Sequence, residues 1–197
     1  MNNMLKIIVV AYRRPIRLRI LIDCFLMQTC GDWEMHIIHD GVPPQSIMNV
    51  ISLYDDPRIT FEHTPQVNGK WGHPNRNMGL SRIPLSYRNF VLMTNDDNYY
   101  VPDFVRLFAL QMKRNSTGMV YCDTLHNYQE YDVLHSQPKK NYIDMGSFAV
   151  RVDVAKKVGF NNFEFAADGD YAEKCANLCS IRRLRVAYIR KALFVHN

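Results

Sequence analysis

Residues 90–102 read FVLMTNDDNYYVP, and this stretch combines the two features that decide the fold. The apolar run Phe90–Met93 is typical of a strand that is buried on both faces of a sheet. Directly after it, Asp96 and Asp97 lie side by side, although neighbouring carboxylates repel each other unless a cation or hydrogen-bond donors compensate them. A solvated turn, in which Asn and Asp are common, is one interpretation, and a cation-binding site is the other.

The first half of the chain alternates short apolar runs with segments of helical spacing. The predicted strands cover residues 6–11, 35–38, 58–62 and 90–93, and the predicted helices cover 18–27, 47–54, 74–82 and a segment after Pro102. This alternation indicates a parallel sheet with helices on both faces. The carboxyl ends of such strands meet at one edge, where open α/β sheets bind ligands. Tyr12, Asp40 and the Asp96–Asp97 pair each follow a predicted strand, so we expect them at that edge.

The second half is less regular. A short strand at 119–122 precedes a polar segment, 123–142, which we expect to be a functional or disordered loop. Predicted next are a strand at 147–150, a helix at 152–158 that ends before a glycine, and a helix at 168–178. A basic stretch follows, which we expect to form a solvated face or a site for a small phosphorylated ligand. Its cations are Arg182, Arg183, Arg185, Arg190 and Lys191.

Composition favours a single globular domain, because 197 residues with 47% hydrophobic content can bury one sizeable core. No apolar run approaches the roughly 20 residues of a membrane helix, and the N-terminus lacks a signal-peptide pattern. Five scattered cysteines favour a reducing compartment. We therefore expect a soluble, cytoplasmic protein without a transmembrane segment. The net charge of +5 suits anionic partners, but no nucleic-acid-binding motif accompanies it, so no nucleic-acid partner is expected.

Seven sequence elements follow one another along nearly the whole chain. They are the turns Ala11–Arg14 and His39–Gly41, the helix start Asn75–Leu80, the motif Asn95–Asp97, the pair of regions Asp144–Ser147 and Val158–Phe160, the acidic helix start Asp168–Asp170, and His196. In this order they resemble the nucleotide-sugar-dependent glycosyltransferases of the GT-A fold, most of all the inverting family 2. The resemblance implies a Rossmann-like α/β domain over residues 1–197, with a central, mostly parallel sheet flanked by helices. Residues 1–100 would bind the nucleotide sugar and residues 101–197 the acceptor.

The resemblance also implies a UDP-sugar donor, such as UDP-glucose or a related hexose. Tyr12 would lie against the base, and Asp40 would accept a hydrogen bond from N3–H, which uracil has and cytosine lacks. Arg76 would either pair with the diphosphate or hold the Asp motif in position. The remaining expected donor-binding residues are Ala11, Arg14, Trp71, Asn77, Asn95 and Asp96.

A divalent cation, Mn²⁺ or Mg²⁺, would neutralise the charge that develops on the diphosphate. By the same resemblance, Asp97 and His196 are the expected metal ligands. Asp96 would either reach the metal through water or hydrogen-bond the ribose. Judged by position alone, His196 is a surface group one residue from the C-terminus.

Direct displacement at the anomeric carbon needs a base that takes the proton of the acceptor hydroxyl. Asp168 matches the carboxylate that the family places at a helix start, and Asp170 is the alternative base. Family members usually carry Glu-Asp there, whereas this chain has Ala167-Asp168. Both aspartates could instead act as helix caps. The segment 126–142 would be a lid over the acceptor.

Together these features predict a metal-dependent glycosyltransferase that moves a hexose from a UDP-sugar to a saccharide or other hydroxyl acceptor with inversion. One alternative is a catalytically weak or inactive sugar-nucleotide-binding or carbohydrate-binding module on the same scaffold. The other is a nucleotidyltransferase, although the turn Ala11–Arg14 lacks the glycines that are usual in the phosphate loops of those enzymes.

Overall fold

The structure is a computed structural model that describes residues 3–162, 164 and 167–197, so a few residues of the predicted domain 1–197 lie outside the described part. The strands in this part are β1 (Leu5–Ala11), β2 (Trp33–His39), β3 (Ile59–His63), β4 (Phe90–Asn95), β5 (Tyr99–Tyr100), β6 (Thr117–His126), β7 (Val133–Leu134), β8 (Phe148–Arg151) and β9 (Arg185–His196). The α-helices are α1 (Pro15–Leu26), α2 (Gln45–Ile51), α3 (His73–Arg82), α4 (Phe104–Met112), α5 (Val152–Val158) and α6 (Ala167–Ile181).

All of these described strands belong to one sheet, in the order β3-β2-β1-β4-β8-β6-β9-β5, with β7 paired to β6. Strands β1 to β4 run parallel to one another. Strand β8 is antiparallel to both β4 and β6, and β9 is parallel to β6. Strands β6 and β9 therefore point in the same direction as β1 to β4. The carboxyl ends of these six strands meet at one edge, as expected for a mostly parallel sheet.

Helices cover both faces of the sheet, because alternate residues of its central strands point to opposite sides. In β1, Ile7 and Val9 pack into one core together with residues of α1, α2 and α4. Ile8 packs into the other core with residues of α3, α5 and α6. Burial on both faces explains why the central strands read as continuous apolar runs instead of alternating ones.

Strand β9 is not predicted from the sequence, and it overlaps the basic stretch 182–191. That stretch is expected to be a solvated face or a site for a small phosphorylated ligand, and its residues Arg182, Arg183, Arg190 and Lys191 are exposed, but from Arg185 the chain forms a twelve-residue strand that pairs with β6. Cys122 pairs with Ile189 and Asp123 with Ala192, so Arg190 and Lys191 form a bulge and are exposed. This bulge interrupts the alternation by which a strand is recognised in a sequence.

The predicted loop 123–142 is also partly regular. Strand β6 continues to His126, and β7 pairs with it beyond a short 3₁₀ turn, Asn127–Gln129. Asp123 is buried in β6 because its carboxylate accepts hydrogen bonds from the Ser136 N–H (3.0 Å) and the Tyr188 hydroxyl (2.5 Å). A buried carboxylate with such partners makes a strand look like a polar loop in the sequence.

The close approach of Gly146 to strand β9 predicts the effect of a single methyl group. A β-carbon at position 146 would overlap the Phe194 ring and come within 2.7 Å of the Tyr100 hydroxyl. We expect Gly146→Ala to lower the free energy of unfolding by about 1–3 kcal/mol. Gly31→Ala is the matched control, since its β-carbon would meet only Arg58 Nη1 at an ordinary 3.7 Å. Urea unfolding measures the free energy of unfolding of both variants, and an equal loss of this free energy in the two would contradict the predicted overlap.

Candidate active site

A cleft of about 860 Å³ opens along the edge where the six strands end. The first half of the chain contributes the turn after β1, Asp40 and the segment that leads into α3, and the second half contributes His126, Asp144, Asp168 and His196. Most of the predicted site residues line this cleft. They are Ala11, Tyr12, Arg14, Asp40, Trp71, Arg76, Asn95, Asp168 and His196.

The acidic pair is compensated by an arginine. Arg14 contacts both carboxylates: its Nη2 lies 2.5 Å from Asp96 Oδ1, and its Nη1 is hydrogen-bonded to Asp97 Oδ2. The Tyr12 N–H donates to the other oxygen of Asp96 at 2.9 Å. Burial nevertheless raises the pKa of Asp96 to about 6, against the opposing effects of Arg14 and the Tyr12 N–H. Arg14 thus compensates part of the charge of the Asp pair within the protein itself.

Asp40 holds the loop that forms one wall of the cleft. Its carboxylate accepts hydrogen bonds, each of 2.9 Å, from the backbone N–H groups of Asn68 and Gly69 and from the side-chain amide of Asn75. Because a carboxylate can accept about four hydrogen bonds, capacity is left for the uracil contact, which stays a prediction. The loop ends in the exposed Trp71, whose φ of 57° is uncommon for a non-glycine residue.

Arg76 is fully buried and ties the walls of the cleft together. Its Nη2 donates to Asn95 Oδ1 at 2.5 Å, directly before the acidic pair, and its Nη1 donates to the Trp71 carbonyl at 2.7 Å. Burial lowers the pKa of the guanidinium, while the charges of Asp168 and Asp144 act in the opposite direction. Of its two predicted roles, the contacts correspond to the one in which Arg76 holds the Asp motif in position.

Asp168 lies in the cleft at the start of α6, whereas its alternative Asp170 does not line it. Burial raises the pKa of Asp168 to about 6, although the charge of Arg76 lowers it. Asp170 pairs with Lys174 on the helix surface, with 2.7 Å between Oδ2 and Nζ. Of the two candidate bases, the structure therefore brings only Asp168 to the cleft.

Asn77 also lies outside the cleft lining, although sequence analysis expects it to bind the donor. Its side-chain amide is used for folding, because it donates to the Phe160 carbonyl at 2.7 Å and accepts from the Phe160 N–H at 2.9 Å. Asp96 and Asp97 are likewise absent from the lining, since they lie behind Arg14.

His126, Asp144 and His196 form a cluster in which one potential ligand atom of each lies within 4.8 Å of the others. His196 Nδ1 is 2.5 Å and His126 Nε2 is 3.2 Å from Asp144 Oδ2. Burial raises the pKa of Asp144, but the hydrogen bonds and charges of the two histidines outweigh it and lower the value to about 2. Burial lowers the pKa of His196, but Asp144, Asp97 and Asp168 together raise it overall.

A family model described as Glycosyl transferase family 2 matches residues 6–167, which is most of the chain. The chain belongs to glycosyltransferase family 2. This membership confirms the predicted family and the prediction of a transferase domain. None of the curated proteins compared matches the sequence significantly.

Solved structures with the same fold confirm the GT-A class of this family 2 domain. S. aureus TarS, residues 1–349, superposes with a TM-score of 0.78 at 15% identity, and the match covers 98% of this chain and 60% of TarS. The TarS complex with UDP-GlcNAc superposes with a TM-score of 0.77 at 16% identity, and the match covers 98% of this chain and 58% of TarS. The mannosyltransferase PcManGT from Pyrobaculum calidifontis, in complex with GDP-Man and Mn²⁺, superposes with a TM-score of 0.76 at 15% identity. The match covers 100% of this chain and 57% of PcManGT. The chain thus spans about 60% or less of these proteins.

The family 2 pattern predicts His196 as a metal ligand, but it places Asp144 only in the region Asp144–Ser147 and gives His126 no place beside them, whereas the structure brings the three side chains together. The available signal was the pairing of β6 with β9, which sets His126 opposite His196 in register. That signal depends on recognising β9 as a strand. In the described part of the chain, no helix is both long and apolar enough to cross a membrane.

The raised pKa of Asp168 predicts that this residue destabilises the fold at neutral pH. Its folded pKa of about 6 exceeds the ordinary aspartate value of 3.8, so the folded state binds the proton more tightly. The contribution to stability is therefore full below about pH 4 and is lost as the pH rises through 6. We expect Asp168→Asn to raise the Tm of the metal-free protein at pH 7.5 by about 2–4 °C, or about 1 kcal/mol, with a smaller gain at pH 4.5.

Asp170→Asn is the matched control, because it removes the same charge from the same helix turn. It also loses the exposed pair with Lys174, so its Tm at pH 7.5 should stay level or fall slightly. Thermal unfolding of both variants at the two pH values checks this. A fall in Tm for Asp168→Asn at pH 7.5 would show that its charge is better compensated than the burial implies.

Proposed function

We propose that this family 2 domain is a metal-dependent glycosyltransferase that moves a hexose from a UDP-sugar to a hydroxyl acceptor with inversion of configuration. The observation that carries the proposal is the position of Asp168. It is a half-buried carboxylate in the same cleft as His196, Asp144 and the turn after β1. The solved complexes of TarS with UDP-GlcNAc and of PcManGT with GDP-Man and Mn²⁺ have the same fold and support a nucleotide-sugar donor.

In this proposal the nucleotide lies along the turn after β1. The half-exposed Tyr12 contacts the base, and Asp40 accepts a hydrogen bond from its N3–H. Trp71 borders the sugar. Arg76 keeps Asn95 and the acidic pair in place from behind, because its guanidinium is already bonded within the protein.

The residues present fit a divalent cation. Asp97 and Asp144 offer carboxylate oxygens and His196 offers an imidazole nitrogen, a set that suits Mn²⁺. A bound cation would supply Lewis-acid stabilisation of the diphosphate as it leaves. Asp97 stands outside the cluster of His126, Asp144 and His196, whose ligand atoms lie within 4.8 Å of one another, and its charge contributes to the raised pKa of His196.

His126 supports this site without being a metal ligand. Its Nδ1 accepts a hydrogen bond from the Tyr128 N–H at 3.2 Å, so a neutral ring carries its proton on Nε2. That Nε2 faces Asp144 at 3.2 Å and can donate to it. A donor to a metal-binding carboxylate orients the ligand, as is usual around metal sites.

Asp168 is the proposed base. With a pKa of about 6 it is mostly ionised at pH 7, yet basic enough to take the proton from an acceptor hydroxyl. The acceptor oxygen then attacks the anomeric carbon from the side opposite the diphosphate. The bond between that carbon and the diphosphate oxygen breaks, its electron pair stays on the diphosphate, and the configuration inverts.

Thermal protection by UDP tests the donor and the metal together. We expect UDP with Mn²⁺ to raise the Tm by about 5–10 °C at saturation, and UDP alone to have little effect. Asp97→Asn should abolish the shift, and the control Asp170→Asn should keep it. CDP should protect less than UDP because it lacks the N3–H that Asp40 would bind. Equal protection by UDP without metal would count against the proposal.

Release of UDP from several UDP-sugars, with and without saccharide acceptors, tests the chemistry itself. Turnover that is lost in Asp168→Asn, with UDP binding retained, is the expected result. Intact binding of UDP with Mn²⁺ but no turnover of any UDP-sugar would instead favour a binding module. Release of pyrophosphate would favour a nucleotidyltransferase.

The two histidines should differ in their effect on the metal. In the presence of UDP, we expect His196→Ala to weaken Mn²⁺ binding about a hundredfold or more, because a ligand is lost. His126→Gln keeps an N–H donor for Asp144, so this variant should lose no more than about tenfold in Mn²⁺ affinity. Titration of the free Mn²⁺ signal by electron paramagnetic resonance measures both. If both variants lost the same amount of Mn²⁺ affinity, His126 would be a metal ligand, and its Nδ1 would have to give up the hydrogen bond from the Tyr128 N–H.

A further inference from the structure

Arg14 stands between the acidic pair and the cleft. The guanidinium lines the cleft, whereas Asp96 and Asp97 do not. The Arg14 side chain is 39% exposed, while those of Asp96 and Asp97 are 0% and 12% exposed. Any cation that enters from the cleft therefore meets Arg14 before it meets Asp97.

The same arginine already pairs with both carboxylates, although Asp96 Oδ1 is in ionic contact only and has no hydrogen-bond partner. Its two terminal nitrogens contact one aspartate each, and Arg17 Nη1 lies 3.5 Å from the Asp97 oxygen that Arg14 holds. Two carboxylates thus face two guanidinium groups, and their charges cancel. The Arg14 Nε is buried without a hydrogen-bond partner, so this arrangement leaves one donor of the guanidinium unused.

This arrangement penalises a divalent cation that arrives alone. With both arginines in place, a divalent cation beside Asp97 meets two guanidinium charges at close range, and this repulsion weakens its binding. A diphosphate changes the balance because it brings negative charge together with oxygens that match the fork of a guanidinium. Arg14 lies at the turn before α1, so its side chain can exchange partners without moving the sheet.

We propose that Arg14 is an internal counter-cation that withholds Asp97 from the metal until a nucleotide diphosphate draws the guanidinium away. The inference rests on the proposed function and goes beyond it, since it makes the binding of metal and nucleotide cooperative. By linkage, the factor by which UDP strengthens metal binding equals the factor by which the metal strengthens UDP binding. Arg14 sets the size of that factor.

Binding of Mn²⁺, followed by electron paramagnetic resonance with and without UDP, tests this. In the wild-type protein we expect UDP to strengthen Mn²⁺ binding between tenfold and a hundredfold. Arg14→Gln should strengthen Mn²⁺ binding without UDP at least tenfold and reduce the effect of UDP. Arg14→Lys keeps the charge but loses the forked guanidinium, so its Mn²⁺ affinity without UDP should lie between those of the wild-type and Arg14→Gln proteins. If Arg14→Gln folds poorly, Arg14→Lys takes its place in the test.

Arg19→Gln is the matched control for net charge. Arg19 lies on the same helix but faces Asp23, 3.9 Å away, and the substitution should leave metal binding as in the wild type. If wild-type and Arg14→Gln proteins bind Mn²⁺ equally without UDP, the counter-cation role is wrong while the proposed function stands. If no variant binds Mn²⁺ even with UDP, the metal-dependent function fails and this inference fails with it.

Discussion

The shared direction of β6, β9 and the first four strands is the constraint on which the cleft depends. Strand β8 lies between β4 and β6 and runs antiparallel to both, so β6 and β9 keep the direction of β1 to β4. If β6 and β9 ran the other way, His126 and His196 would end at the opposite edge from Tyr12 and Asp96. The position of the histidine cluster thus follows from strand direction, and strand direction follows from hydrogen bonding deep in the sheet.

Burial and charge act against each other throughout the cleft. Asp96 and Asp168 have pKa values raised to about 6 because burial outweighs their cationic neighbours, whereas Asp144 is lowered to about 2 because two histidines face it. Arg76, fully buried, is the positive charge that Asp168 and Asp144 share. Arg76, Asp168 and Asp144 are therefore coupled, and a change at one of them alters the ionisation of the others. Environments that push carboxylate pKa values apart also allow one cleft to hold a cation and a base.

The sequence predicts the first half of the fold well because its strands are continuous apolar runs separated by clear helices. It predicts the second half less well for identifiable reasons. The exposed bulge at Arg190 and Lys191 hides β9, and the buried Asp123 makes the end of β6 look like a loop. The local sequence pattern cannot show that His126 and His196 are neighbours, because this depends on the long-range pairing of β6 with β9.

Prediction of the candidate site from the sequence has the same limit, because the direction of each side chain depends on the fold. Residue type and order pointed to Asp40, Arg76 and Asp168, which line the cleft, but they could not separate Asp168 from Asp170. The choice depends on which way α6 presents its first turn. Asn77 was expected to bind the donor because it neighbours Arg76 in the sequence, yet successive positions on a helix face different directions. Asn77 therefore points to Phe160 and not to the cleft.

The departure from the family pattern at Ala167 also has a physical basis in this fold. Ala167 is buried, with 1% of its surface exposed, so a glutamate there would need either a partner or a shift of the chain. No such second carboxylate adjoins Asp168 in the sequence, and control of its pKa passes to groups from other elements. Arg76 from α3, Asp144 with the Met145 backbone before β8, and His196 from β9 together set its charge. A base that depends on three separate segments is positioned only when the whole cleft is assembled, which ties its ionisation to the fold itself.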